Sequence, residues 1–135
     1  MTKTLFILND PPYGTERSYN GLRLAKAVSK QPDQQIRVFL MGDAVACAKA
    51  GQKLPDGYYN AADMVKMVAM AGDVGLCGTC MTARGIEDSE LVPEVPTPTV
   101  VSIFSHGLVP APRSFAERFF DVRVWDEQPR GGHFA

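Results

Sequence analysis

Val74-Gly75-Leu76-Cys77-Gly78-Thr79-Cys80-Met81-Thr82-Ala83-Arg84-Gly85 sets a short apolar run directly against a pair of cysteines. Val74 to Leu76 suits a strand, and the cysteines that follow it stand at that strand's carboxyl end. In an open parallel α/β sheet this is the edge where ligand crevices form.

Two strand-to-helix units precede this stretch. Leu5 to Leu8 is a continuous apolar run closed by Asn9-Asp10-Pro11-Pro12-Tyr13-Gly14, the pattern of a central strand of a parallel sheet that ends in a loop. From Glu16 the spacing becomes helical, with Leu22, Ala25, Lys26 and Val28 at helical intervals and Gln31-Pro32-Asp33 closing the segment. Ile36, Val38 and Leu40 form a second strand ending at Met41-Gly42-Asp43, and Asp43 is expected to cap an alanine-rich helix from Ala44 to Ala50. Gly51 to Tyr59 reads as a loop. Ala62, Val65, Met67, Val68 and Met70 then support another helix closed by Gly72, and its methionine stripe is expected to be core or subunit interface. The loop after the first strand (Asn9, Asp10, Tyr13), the Gly42-Asp43 turn and the Cys77 turn should therefore line one crevice. For Asp10, Tyr13 and Glu16, a turn and helix cap stands as an equal reading.

Beyond Leu91 the texture changes, because six of the ten prolines fall there. Long helices are not expected in such a stretch. Val100 to Phe104 and Phe120 to Trp125 are strand candidates, Ser114 to Phe119 a short helical turn, and Gly131 to Ala135 a loose tail. The 135 residues suit one domain, 1–135, with a core of its own.

The formal net charge is -1, and none of the 14 Lys and Arg residues forms a block. A broad nucleic-acid footprint is not expected, and small molecules and proteins are the expected partners. The apolar run at the N-terminus is too short for a signal peptide or a bilayer span, so the chain is read as a cytoplasmic protein without membrane contact. There is no G-x-x-x-x-G-K-[ST] phosphate loop and no G-x-G-x-x-G after the first strand. A structural zinc site would need Cys47, His106 or His133 beside the close pair, at none of the usual spacings, so neither metal nor cofactor is expected. Ser105 and His106 are adjacent in a predicted strand and would face opposite ways.

The chemistry falls on the thiols. A thiolate is the reactive form of cysteine, and its pKa falls near a helix N-terminus or a cation. Cys77 stands at a strand-to-helix turn with Arg84 two helical turns on, Gly78 and Thr79 supplying backbone N–H groups. The sequence thus predicts an activated thiol that takes up sulfane sulfur, against the plainer alternative of a buried cysteine that ends a strand. Three roles stay open for Cys80: resolving a disulfide with Cys77, receiving sulfur from it, or packing. Cys47, inside the alanine-rich segment, is read as a core residue.

Ile7-Leu8-Asn9-Asp10-Pro11-Pro12-Tyr13-Gly14-Thr15-Glu16-Arg17-Ser18-Tyr19-Asn20, Val38-Phe39-Leu40-Met41-Gly42-Asp43-Ala44-Val45 and the Cys77 to Gly85 stretch together resemble the DsrE/DsrF-like (YchN-like) sulfur-relay family over about residues 1–91. The resemblance implies a flavodoxin-like or Rossmann-like α/β fold, a three-layer sandwich with a mainly parallel sheet. It also implies a homotrimer or homohexamer and, for some members, persulfide carriage between sulfur donor and acceptor proteins. Carriers of this type hold their cysteine seven residues before an Arg-Gly pair, and Cys77 stands at that distance from Arg84-Gly85. After about Leu91 the chain departs from the family pattern, with Pro93 to Pro112 where a polar helix is expected. The resulting reading is a persulfide carrier. A non-catalytic oligomeric module that binds a small ligand, or a thiol-disulfide protein using Cys77 and Cys80, stands as the alternative.

Overall fold

A computed structural model describes residues 1–95 of the chain. The readings placed on Val100 to Phe104, Ser105-His106, Ser114 to Phe119, Phe120 to Trp125 and the tail lie outside the described residues. Within them, three parallel strands, β1 (Thr2–Leu8), β2 (Gln34–Leu40) and β3 (Asp73–Leu76), lie side by side in chain order. Thr2 pairs with Gln34 and Leu8 with Leu40, while Arg37 pairs with Asp73 and Leu40 with Leu76, so all three strands end at one level.

Helices α1 (Arg17–Ser29) and α2 (Ala61–Ala69) make the crossovers. Parallel crossovers are nearly always right-handed, so two successive ones stepping the same way lay their helices on one face of the sheet. Accordingly, α1 packs against α2, against β1 and against β2. Phe6, Leu8, Ile36, Val38, Leu40, Val74 and Leu76 alternate along the strands and meet Leu22, Ala25, Val65 and Val68 in one core. Two glycines set the spacing of this layer. A Cβ on Gly21 would come within 2.5 Å of a Leu8 methyl group, and one on Gly72 within 2.5 Å of the Ile36 backbone oxygen.

The start of α2 is fixed by Asn60, whose side-chain oxygen accepts the N–H of Asp63 at 3.2 Å. The methionines of this helix divide. Met64 is buried, whereas Met67 and Met70 are 38% and 82% exposed, so only part of the stripe is core.

The alanine-rich segment differs from expectation. It is a 3-10 helix, Gly42–Ala48, with Met41 as its N-cap and no side-chain cap. Asp43 therefore lies inside its first turn rather than capping an α-helix. The cause is burial: Ala44, Val45, Cys47 and Ala48 are fully enclosed, and small side chains let the tighter, narrower helix seat against the sheet. Among the described residues, no helix is long and apolar enough to cross a membrane.

Candidate thiol site

β3 delivers Cys77 to the sheet edge while its backbone is still part of the ladder, since the Cys77 N–H donates to the Leu40 carbonyl at 2.9 Å. The chain then turns into the short helix α3 (Gly78–Thr82), with Cys77 as the N-cap. Its sulfur accepts the N–H of Cys80 at 3.4 Å, and its carbonyl accepts that of Met81 at 3.0 Å. A thiol here occupies the position at which serine or aspartate caps most helices. Cys77 is 7% exposed, and Cys80 is half-buried beside it.

Burial pushes the Cys77 thiol above its ordinary range, and the neighbouring Cys80 side chain adds to the rise. The backbone N–H groups of Cys80 and Thr79 act the other way without overcoming it. This corrects the expectation of a depressed pKa. A helix of five residues has too few aligned peptide groups to offset desolvation, and the expected cation is engaged elsewhere. Arg84 gives its Nε to Asp43 Oδ1 at 2.9 Å and its Nη1 to the Cys80 carbonyl at 3.0 Å. The guanidinium thus clips the turn after β2 to the turn after β3.

The other expected crevice residues divide into two groups. Gly42 lies against the first loop, where a Cβ would stand 3.3 Å from the Asn9 carbonyl, and its φ of 55° suits glycine. Through Asn9, Gly42, Asp43 and Arg84 the three turns form one continuous edge. Asp10 and Tyr13 instead make their contacts toward the helices. The Asp10 carbonyl accepts the Ser18 hydroxyl at 2.6 Å, and its carboxylate stands 3.6 Å from Arg17. The Tyr13 hydroxyl donates to Gln52 and accepts the Ala61 N–H at 3.2 Å.

Gln52 was passed over by the sequence reading. Its side-chain nitrogen donates to the carbonyls of Ala46, Cys47 and Lys49, tying the loop to the end of the 3-10 helix. The available signal was a glutamine immediately after Gly51, whose amide is suited to unpaired carbonyls at a helix end. Tyr59 is a second such residue: it stacks on Tyr19 at 4.1 Å and donates its hydroxyl to the Pro12 carbonyl at 2.9 Å. Cys47 is fully buried, and burial raises its pKa to about 11. Among the described residues no three His, Cys, Asp or Glu side chains group so as to hold a metal ion.

A parallel α/β sheet with a helix-capping thiol at its carboxyl edge defines the class. The chain belongs to the DsrE/DsrF-like family, whose profile matches residues 2–106. It is similar to protein YchN of Escherichia coli, 39% identical over 105 residues that cover 76% of this chain and 89% of that protein. It is also 30% identical, over 95 residues, to an uncharacterized protein of Methanopyrus kandleri, covering 70% of this chain and 77% of that one. The crystal structure of the Escherichia coli YchN protein superposes with a TM-score of 0.69 at 38% identity, covering 76% of this chain and 89% of that chain. The family is associated with sulfur relay.

Proposed function

We propose that this chain is a sulfur carrier whose acceptor atom is Cys77 Sγ. The Cys77 thiolate attacks the terminal sulfur of a donor persulfide, R–S–SH; the new S–S bond forms on Cys77, and the donor sulfur leaves as a thiolate that takes up a proton. The product is Cys77–S–SH plus R–SH. A nucleophilic partner thiolate then removes the outer sulfur and restores the Cys77 thiol. The observation that carries this reading is the capping position of Cys77, whose sulfur accepts the Cys80 N–H at the carboxyl end of β3.

Incubation of the full chain with a low-molecular-weight persulfide donor, followed by intact-mass measurement, tests it. A gain of one sulfur atom that disappears in Cys77→Ser supports carriage. A protein that gains no sulfur on any cysteine is instead the non-catalytic binding module. The contact between the two thiols favours a second reading, disulfide exchange between Cys77 and Cys80. A loss of two hydrogens on mild oxidation that Cys80→Ser abolishes is its signature.

The carrier is further proposed to act as a homotrimer or homohexamer that meets donor and acceptor proteins at the Cys77 edge. Support comes from apolar side chains left open to solvent, Leu5 and Ile7 on β1 at 36% and 46% exposure and Met70 beyond α2. Light scattering at micromolar concentration decides it, and a monomer removes the claim.

A further inference from the structure

The face formed by α1 and α2 carries a groove that the thiol chemistry does not use. It encloses about 540 Å³, and its floor and one wall include Tyr58, Met64 and Met67. Arg23, Lys26 and Lys30 line the opposite wall. These three stand at i, i+3 and i+7 of one helical stripe, which spreads their charges over about 10 Å.

None of the three meets a carboxylate within ion-pairing distance among the described residues. Arg23 lies over the Tyr19 ring at 5.3 Å, and the Lys26 ammonium rests 2.9 Å from the Met67 sulfur, a weak acceptor. Asp63, the acid in the lining, already faces Lys66 at 3.4 Å. The groove is therefore cationic along α1, while its other side sets Tyr58, Met64 and Met67 beside Asn60 and the paired Asp63. At its upper end Tyr59 is tied to Pro12, so it opens beside the loop that follows β1.

We propose that this groove docks an acidic, amphipathic segment of a partner protein, with carboxylates along Arg23, Lys26 and Lys30 and an apolar side chain against Tyr58 and Met67. The spacing of the cations selects a polyanion of some length, because one phosphate or one carboxylate cannot reach all three. The thioether and aromatic wall selects a peptide with apolar side chains over a bare polyelectrolyte. This holds whether or not Cys77 carries sulfur.

The probe is a fluorescein-labelled helical peptide with Glu and Leu on alternating faces, titrated with the full chain and followed by anisotropy. Saturable binding is expected, weakening as salt rises from about 50 mM, because partly exposed charges are screened. The triple variant Arg23→Glu, Lys26→Glu, Lys30→Glu should weaken binding roughly tenfold or more, as three surface pairs are lost and reversed. Should that variant fail to fold by circular dichroism, the Gln triple variant takes its place with a smaller loss expected. Met67→Ser should also weaken the complex.

Equal binding by wild type and triple variant, or by a peptide with Gln for every Glu, overturns the proposal. Displacement by millimolar inorganic phosphate would mark a small-anion site, and tighter binding of a labelled single-stranded oligonucleotide a nucleic-acid one. A drop in molecular mass by light scattering in the triple variant would make the groove a contact between copies of this chain. Each of these three results also overturns it.

Discussion

The turns that leave β2 and β3 begin alike and end in different chemistry. Each starts with a backbone N–H donated across the sheet, Met41 to the Leu8 carbonyl and Cys77 to that of Leu40. Each then enters a short helix of small residues that contains a cysteine. In the first turn Cys47 lies near the end of the 3-10 helix, fully buried, with its pKa raised to about 11. In the second, Cys77 comes first and its sulfur receives a backbone N–H. The difference is one of place within the turn. Both sulfurs have donors near them, the Ser18 hydroxyl and its own backbone N–H for Cys47 and the Cys80 and Thr79 N–H groups for Cys77, and in both burial outweighs them.

Alkylation by iodoacetamide tests this most strongly. At pH 8 a thiol with a pKa near 11 is on the order of 0.1% thiolate, so Cys47 should label more slowly than Cys77, with full burial slowing it further. Equal rates in the folded protein would erase the distinction. Because the Cys77 pKa is also raised, its labelling rate should keep climbing through pH 9 instead of levelling below neutral pH.

The next effect is on alkaline stability. Cys47 has an ordinary pKa of 9.0 and a folded value of about 11, so the folded state favours its neutral form. Its contribution is complete below pH 9 and is lost as pH rises to about 11, a change of about 2–3 kcal/mol. Urea unfolding at pH 8 and pH 11 should show a smaller alkaline loss in Cys47→Ala than in wild type. The same loss in both would mean that the thiol is not held neutral by the fold.

A third test separates capping from chemistry at Cys77. Serine is a good N-cap, so Cys77→Ser should keep stability within about 0.5 kcal/mol while abolishing sulfur loading, and Cys77→Ala should cost about 1 kcal/mol. Chemical denaturation of the two variants measures the gap, and identical midpoints would remove the capping role. The smallest effect belongs to Arg84. Its ion pair with Asp43 is solvent-exposed on both sides, so Arg84→Ala should cost less than about 1 kcal/mol. Cys77 alkylation should change less than about twofold, because the guanidinium engages Asp43 and the Cys80 carbonyl. A large slowing would show that the cation reaches the sulfur.

What the sequence makes legible follows from what is local. The three strands are visible because Leu5 to Leu8 and Val74 to Leu76 are short apolar runs, and Ile36, Val38 and Leu40 recur at alternate positions, each stretch bounded by turn residues. The placement of Cys77 at the edge follows from the residues that end β3. The 3-10 helix was not legible, since alanine has the highest intrinsic α-helix propensity and only burial against the sheet selects the tighter form. Nor was the direction of Arg84, because its partner Asp43 lies 41 positions away. The sequence supplies a cation at the right spacing, but the choice between a thiol and a distant carboxylate is made by the meeting of two turns. The same holds for Gln52, whose three carbonyl partners become neighbours only when the chain doubles back.

The hydrogen bond from the Cys77 N–H to the Leu40 carbonyl makes the sulfur's address a matter of counting. Side chains along a strand take opposite faces in turn, so Leu76 and Cys77 are directed to opposite sides of the sheet, both buried. Adding a single residue between Gly72 and Cys77 would set Leu76 at the place of the thiol, and deleting one would set Cys77 at the place of Leu76 with Gly78 at the edge. The tight approach of Gly72 to Ile36 leaves little room to absorb such a slip upstream. Changes of length near this site should therefore be tolerated only after Cys77, and those before it only in pairs.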